Sequence, residues 1–181
     1  MNWLRYFIED WIERLRGQSP ESNSLMQISD QGITLVKHFE WYYPDAYQCE
    51  AGVWSIGYGH TTGVKKGDHT TPEQAETWLV EDLAEAEEAV RQYITAPISQ
   101  WQYDALVAFT MNCGAGALAE STMRKRINDL YETEDIVEAM SWWNKVKDSK
   151  TGEKRVSAGL LRRRKSEGYL YQTGMLNYFE G

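Results

Sequence analysis

The chain contains few cysteines and few histidines, and it has no long apolar run. Its 181 residues include two cysteines, Cys49 and Cys113, which are too few for a disulfide framework. The three histidines lack the spacing of a metal-ligand set, so we expect no metal site and no other cofactor. No apolar run approaches the roughly 20 residues that cross a bilayer, and the N-terminus lacks the apolar core of a secretory signal. We therefore expect neither a transmembrane segment nor a signal peptide.

Positive charge is also scarce. The formal net charge is −8, which argues against a general nucleic-acid-binding protein. The charge is unevenly spread, because residues 73–88 are strongly acidic whereas residues 145–165 hold nine Lys or Arg against Asp148 and Glu153. The apolar fraction of 42% and the charged fraction of 25% are those of an ordinary globular protein. The length favours one domain, with room for one basic face on an acidic body.

The first 16 residues have the pattern of an amphipathic helix. Their charges cancel, so the cationic face of a membrane-surface helix is missing. Packing on the chain's own body, self-association and docking on a partner all remain open for the apolar face. A polar linker follows at residues 17–24. The apolar positions recur at helical spacing and are Trp3, Leu4, Phe7, Ile8, Trp11, Ile12 and Leu15.

A second helical pattern, at residues 29–40, ends at Glu40. An aromatic turn follows, and then a short alternating segment at 53–56 that runs into glycine-rich residues. This predicts a small β-ribbon, so that Glu40, Cys49, Ser55 and His60 are four chemically capable side chains on a helix end and a ribbon. Aromatic neighbours desolvate a carboxyl and favour its un-ionised form, which can protonate a leaving group. On spacing alone, an exposed glutamate beside a hairpin is the alternative.

Capping signals predict further helices. Thr71-Pro72-Glu73-Gln74 is typical of a helix start, and the pattern continues to about Tyr93, long enough to join two lobes. Ser99-Gln100-Trp101-Gln102 is a second capping box, which opens an apolar helix that ends near Asn112. Three more helices are predicted, at 121–130, 134–144 and 158–172. Together with the ribbon, these helices indicate an α+β fold.

Three motifs in this chain resemble the phage-type lysozymes, the coliphage endolysin family of muramidases in glycoside hydrolase family 24. The first is a Glu, eight residues, a Cys, five residues and a Ser, followed by I-G-Y-G-H-T. The others are F-T-M-N-C-G-A-G-A-L with S-T-M-R-K-R-I-N at 109–128, and G-L-L-R-R-R-K-S-E at 159–167. The resemblance covers roughly residues 29–174. It implies a lysozyme-like α+β fold in which a small β-ribbon lobe is joined by a long helix to a helical C-terminal lobe.

The resemblance also implies a division of the chain and roles for its residues. We divide the chain into an N-terminal helix with linker at 1–27, a lysozyme-like catalytic domain at 28–174, and a tail at 175–181. Glu40 corresponds to the general acid, and Cys49 stands where most relatives carry Asp. A neutral thiol is a poor base, whereas a thiolate could polarise water or attack carbon. Ser55 replaces a threonine but keeps the hydroxyl that would hold the attacking water.

Four other residues are expected to support or to modify the site. His60 resembles a residue that stabilises the ribbon lobe. Asn112 and Arg163 fall in the second and third motifs, and we expect them to bind substrate or to support the acid. The arginine run that contains Arg163 is also consistent with a solvated, salt-bridged helix face. Trp41 is a bulky residue where relatives commonly have glycine.

The implied function is hydrolysis of the β-1,4 bond between N-acetylmuramic acid and N-acetylglucosamine of peptidoglycan. Without a signal peptide, such an enzyme would reside in a host cytoplasm before its release to the periplasm or cell wall, or be carried in a virion. The alternative is a catalytically weak or inactive lysozyme-fold protein that binds the wall or builds a virion. Trp41, Cys49 and the acidic net charge all leave room for this alternative.

Overall fold

A computed structural model of the protein describes residues 23–48, 52–147 and 152–179. The predicted helix at 1–16 and the candidate Cys49 lie outside the described residues. The described helices are α1 (Asp30–Glu40), α2 (Pro72–Tyr93), α3 (Gln100–Cys113), α4 (Ala115–Glu120), α5 (Thr122–Asn128), α6 (Thr133–Ser141) and α7 (Ala158–Thr173). The described strands are β1 (Tyr43–Gln48), β2 (Trp54–Gly57), β3 (Lys145–Lys147) and β4 (Lys154–Val156).

Helix α1 is fixed to α3 at its first residues. The backbone N–H and the hydroxyl of Ser29 both donate to the buried carboxylate of Asp104, over 2.9 and 2.5 Å. Gly32 lies at a close contact between the two helices, because a Cβ at this position would come within 2.9 Å of the Cβ of Asp104. A glycine therefore permits the contact that sets the direction in which α1 delivers Glu40.

Strands β1 and β2 form the small antiparallel ribbon that the sequence predicts. Tyr47 pairs with Ser55 and Tyr43 pairs with Gly57, with an irregularity between the two pairs. Beyond β2 the chain turns back through an isolated bridge between Ile56 and His60. The ribbon therefore follows α1 in the chain and ends in a tight turn between Ile56 and His60.

Helix α2 begins and ends where the sequence predicts. The hydroxyl of Thr71 accepts a hydrogen bond from the N–H of Gln74, and Pro72 occupies the first turn, where its missing N–H costs nothing. The helix is 22 residues long and links the ribbon lobe to the helical lobe. None of the described helices combines the length and the apolar character that crossing a bilayer requires.

Helix α3 is the centre of the core. Its start is a complete capping box, in which Ser99 accepts from the N–H of Gln102 and the Gln102 side chain accepts from the N–H of Ser99. Residues 103–110 are all buried, because α1, α2 and α7 pack around them. A helix that is enclosed on nearly all sides needs apolar residues in nearly every position, which explains its weak amphipathic pattern.

The C-terminal part is helical as predicted. Helices α5, α6 and α7 correspond to the helices predicted at 121–130, 134–144 and 158–172. The predicted ends of the first two were too late, since α5 stops at Asn128 and α6 at Ser141. The sequence analysis did not predict the hairpin of β3 and β4. Its strands are three residues each and mostly exposed, so they carry no alternating apolar pattern.

Both ends of the described chain pack on the body. Asn23 is buried and its side-chain amide donates to the carbonyl oxygens of Ile94 and Ala96. At the other end Tyr178, which belongs to the predicted tail, stacks on His38 of α1 at 3.8 Å between ring centroids. Some residues of the predicted linker-containing segment and of the tail therefore contact the body.

Candidate active site

Glu40 lies at the C-terminal end of α1 and opens into a cleft of about 650 Å³. The helix ends there because Trp41 adopts a positive φ of 48°. The Glu40 side chain is 22% exposed, so it is reachable from the cleft without being fully solvated. The described residues that line the cleft are His38, Phe39, Glu40, Trp41, Asn112, Val146, Ser157, Gly159, Leu160, Arg162, Arg163 and Tyr178.

Arg163 on α7 holds the Glu40 carboxylate in place. Its Nη1 donates to Oε1 of Glu40 over 2.5 Å, its Nε donates to Glu167 over 3.0 Å, and its Nη2 donates to the carbonyl of Ala108 over 3.2 Å. The guanidinium also lies over the ring of Phe39, 5.6 Å from the centroid. Burial alone would lower the pKa of Arg163, but Glu40 and Glu167 outweigh burial and raise it. The cation beside the candidate acid is therefore permanently charged.

Glu167 is the buried counter-ion beneath this contact. It has no exposed surface, and a second arginine, Arg164, donates to its Oε1 over 2.8 Å. Burial raises the pKa of Glu167, and the guanidiniums of Arg164 and Arg163 oppose that rise. Two buried arginines therefore share Glu167, and Glu40 is the second carboxyl group that Arg163 contacts. The candidate acid is therefore part of a charge network that runs into the core.

Arg164 extends the same network to the end of α3. It donates to Oδ1 of Asn112 over 2.9 Å and contacts Sγ of Cys113 at 2.8 Å. Burial raises the pKa of the Cys113 thiol while Arg164 opposes the rise, and Cys113 is a free cysteine. Asn112 thus lines the cleft with its side-chain oxygen already engaged by a buried cation.

The ribbon approaches Oε2 of Glu40, the oxygen that Arg163 does not bind. A Cβ placed on Gly59 would lie 3.4 Å from Oε2 of Glu40, and Gly59 has a φ of 88°. Gly57 has a φ of 63°, and a Cβ there would come within 2.9 Å of the Cβ of Ala75 on α2. These two glycines permit the ribbon to pass close to the carboxylate and to α2.

Of the three predicted catalytic residues, Glu40 lines the cleft and Cys49 lies outside the described residues. Ser55 is 4% exposed in β2, opposite Tyr47, and is not among the described residues that line the cleft. Among the described residues, the ribbon reaches Glu40 through Gly59. The roles of Cys49 and Ser55 stay predictions.

His60 has the surroundings of a structural residue. Its Nδ1 lies 3.0 Å from Oδ2 of Asp82 on α2, and its Nε2 lies 3.1 Å from the carbonyl of Thr62. The residue is 8% exposed, and its ring stacks on Trp78 of α2 with 4.8 Å between the ring centroids. These contacts tie the ribbon to the long helix and leave both ring nitrogens occupied.

Sequence reasoning missed the burial of the arginine run. The interpretation of that run as a solvated face is correct for Arg162, which is exposed, but wrong for Arg163, Arg164 and Glu167, which are all at most 4% exposed. A signal was present, because Arg163, Glu167, Leu170 and Tyr171 lie at positions i, i+4, i+7 and i+8, the spacing of an inward helix face. Charged residues in an apolar stripe indicate buried ion pairs.

The sequence of this chain matches a family model and the sequences of known proteins. The family model described as Phage lysozyme matches residues 37–167. The endolysin of Acyrthosiphon pisum secondary endosymbiont phage 1 is 37% identical over 148 residues, which cover 82% of this chain and 99% of that protein.

Two solved structures are also similar. An endolysin from Escherichia coli O157:H7 phage FAHEc1 has a TM-score of 0.79 at 39% identity and covers 84% of this chain and 98% of its own. The muramidase domain of SpmX from Asticaccaulis excentricus has a TM-score of 0.76 at 37% identity, and the match covers 81% of this chain and 98% of that domain. The fold is therefore lysozyme-like, and the chain belongs to the phage lysozyme family.

Proposed function

We propose that this protein is a phage peptidoglycan muramidase in which Glu40 is the general acid. As a member of the phage lysozyme family it is a glycoside hydrolase. The bond that we propose it cleaves is the β-1,4 linkage between N-acetylmuramic acid and N-acetylglucosamine. The observation that carries the assignment is the position of Glu40, in an open cleft and paired with Arg163 from the far end of the chain.

The geometry supports a simple division of labour at Glu40. Arg163 binds Oε1, so the acidic proton would be held on Oε2 and passed to the oxygen that bridges two sugars. When the proton leaves, the carboxylate becomes negative beside a fixed guanidinium, which stabilises the charge as it develops. Because Arg163 is anchored by Glu167 and by the Ala108 carbonyl, it needs no rearrangement during the step.

Water attack on the opposite face of the sugar would complete the reaction. We assign the water to Cys49 and Ser55, on the basis of their places in the family motif. A hydroxyl such as that of Ser55 can orient a water molecule, and a thiolate at Cys49 could accept its proton. The same substitution of Cys for Asp favours the alternative function, a wall-binding protein with weak or no hydrolysis.

The substitution Glu40→Gln tests the assignment of the acid. The amide keeps an oxygen for Arg163 but carries no acidic proton, so hydrolysis should fall by about 10²- to 10⁴-fold. The assay is clearing of outer-membrane-stripped cells together with release of reducing ends from purified peptidoglycan. The matched control is Glu76→Gln, a half-exposed glutamate on α2 that pairs with Lys37. Equal clearing by Glu40→Gln and the unmodified protein would refute the assigned acid.

The site of action follows from the relatives only in outline. Relatives named endolysin support action on the bacterial cell wall. Residence in a host cytoplasm until release, or carriage in a virion, is our proposal for the stage before that. Both fit a wall-cleaving enzyme, and particle-associated activity in purified virions would distinguish them.

A further inference from the structure

Trp41 has a backbone conformation that suits glycine. Its φ is 48° and its ψ is 152°, a region that L-residues with a Cβ rarely enter and that costs backbone energy. Of the three non-glycine residues described with positive φ, Trp41, Leu130 and Phe179, Trp41 is the one that lines the cleft. The chain therefore places its largest side chain where a glycine would fit without strain.

Packing does not compensate for that strain. Trp41 is 68% exposed, whereas Trp101 and Trp142 are 43% and 50% exposed. Within the described part of the chain, no aromatic ring or cation is found stacked on its indole. Two other exposed tryptophans differ in this respect, because Trp101 covers Gly174 and Trp142 lies 5.1 Å from the guanidinium of Arg126.

The position of the indole in the cleft indicates a role for this side chain in binding. Trp41 directly follows Glu40 and both residues line the same cleft, so a glycan strand that occupies the cleft at Glu40 has the indole within its path. A pyranose ring has an apolar face of C–H groups, and the face of an aromatic ring is electron-rich, so the two surfaces are complementary. A rigid, exposed aromatic side chain gives contact area at low cost in side-chain entropy.

We propose that Trp41 is a substrate-binding residue, whose indole stacks on a sugar ring of the glycan strand next to the bond that is cleaved. The inference rests on the proposed function, since it takes the glycan as the occupant of the cleft. The strained backbone of Trp41 is the consequence of holding the indole over the cleft at the end of α1. Stability and substrate binding therefore make opposite demands on this position.

Two substitutions separate the backbone from the ring. Trp41→Gly removes both the indole and the strain, whereas Trp41→Ala removes the indole and keeps the strain. Both should raise KM for soluble glycan fragments by about three- to tenfold with little change in kcat, the size of one aromatic contact. The melting temperature should rise for Trp41→Gly but not for Trp41→Ala. Trp41→Phe should keep most of the binding, because it retains an aromatic face.

The matched control is Trp142→Ala, an exposed tryptophan that does not line the cleft and whose loss should leave KM unchanged. An unchanged KM in Trp41→Ala and Trp41→Gly, or a fall in melting temperature for Trp41→Gly, would overturn the proposal. So would an equal loss in Trp41→Phe. Calorimetric binding of the same fragments, with Glu40→Gln as the parent protein, repeats the comparison without turnover. Failure of the assigned acid would therefore be visible separately, as activity retained by Glu40→Gln.

Discussion

At the scale of single residues, the site depends on how Arg163 divides its donors. A lone arginine beside Glu40 would be free to swing toward the solvent-filled cleft. Here two of its three nitrogens are engaged by Glu167 and by a backbone carbonyl, so the third is held at Glu40. Glu167, a fully buried carboxylate four residues after Arg163 on α7, therefore helps to hold the arginine that fixes Glu40.

Replacement of Arg163 should cost both stability and activity. Arg163→Met leaves Glu40 without a cation and Glu167 with one arginine in place of two, and the loss of one partner from a buried ionic network costs about 3–5 kcal/mol. Arg163→Lys keeps the charge but cannot bind three partners in a fixed plane, so we expect an intermediate loss. Urea unfolding measures the stability, and hydrolysis is assayed at a temperature where every variant is folded.

Arg162→Met is the control for this stability measurement, because Arg162 is the exposed neighbour in the same run. Its free energy of unfolding should change by less than about 0.5 kcal/mol. If Arg163→Met were as stable as Arg162→Met, the buried network would not be what positions the acid.

Thiol chemistry tests the residue that stands in the place of the family's aspartate. Alkylation of Cys49 should slow turnover, because the modified sulfur can neither accept a proton nor leave room for water. The experiment uses a Cys113→Ala background, so that Cys49 is the one cysteine left to modify. Mass spectrometry gives the extent of modification, and an unchanged rate at full modification would remove Cys49 from the site.

At the scale of elements, the ribbon is positioned by its attachment to α2. His60 bonds to Asp82 and to its own turn and stacks on Trp78, and Gly57 packs against Ala75. These contacts lie within two residues of Gly59, which passes beside Glu40. The ribbon therefore depends on the long helix for its place at the carboxylate.

His60→Ala should loosen the ribbon and reduce activity together. The loss of two hydrogen bonds and a stacked ring leaves Asp82 and Thr62 without this partner, which costs about 1–3 kcal/mol. Hydrogen exchange should show faster opening of β1 and β2 than of α3, because the attachment is local. The control is His69→Ala, whose ion pair with Asp45 is exposed and should be worth under about 1 kcal/mol. Equal effects of the two substitutions would contradict a positioning role for His60.

The elements also show what a sequence can predict. The starts of α2 and α3 follow from Thr71 with Pro72 and from Ser99 with Gln102, because capping depends on groups within one turn. The contact of Arg163 with Glu40 joins residues 123 positions apart, and its burial depends on partners that no local pattern reveals. The family resemblance supplied the motif, but the network of Arg164 and Glu167 beneath it required the folded chain.

At the scale of the whole molecule, one hairpin concentrates positive charge on an acidic chain. The β3–β4 hairpin presents an exposed group of cations, Lys145, Lys147, Lys154 and Arg155, on a chain whose net charge is −8. The hairpin borders the cleft, since Val146 of β3 and Ser157 after β4 both line it. Bacterial wall polymers are anionic, so this edge of an otherwise acidic protein is the one that they would approach.

Reversal of charge on the hairpin should therefore weaken wall attack in a salt-dependent way. The double variant Lys154→Glu with Arg155→Glu should clear cells several-fold more slowly at low ionic strength, and the difference should shrink as salt screens exposed charges. Melting temperature should be nearly unchanged, because both side chains are exposed. Lys66→Glu with Lys125→Glu makes the same change in net charge at exposed positions that do not line the cleft, and it should retain more activity. Equal losses in the two double variants would mean that total charge, and not the hairpin, governs the approach to the wall.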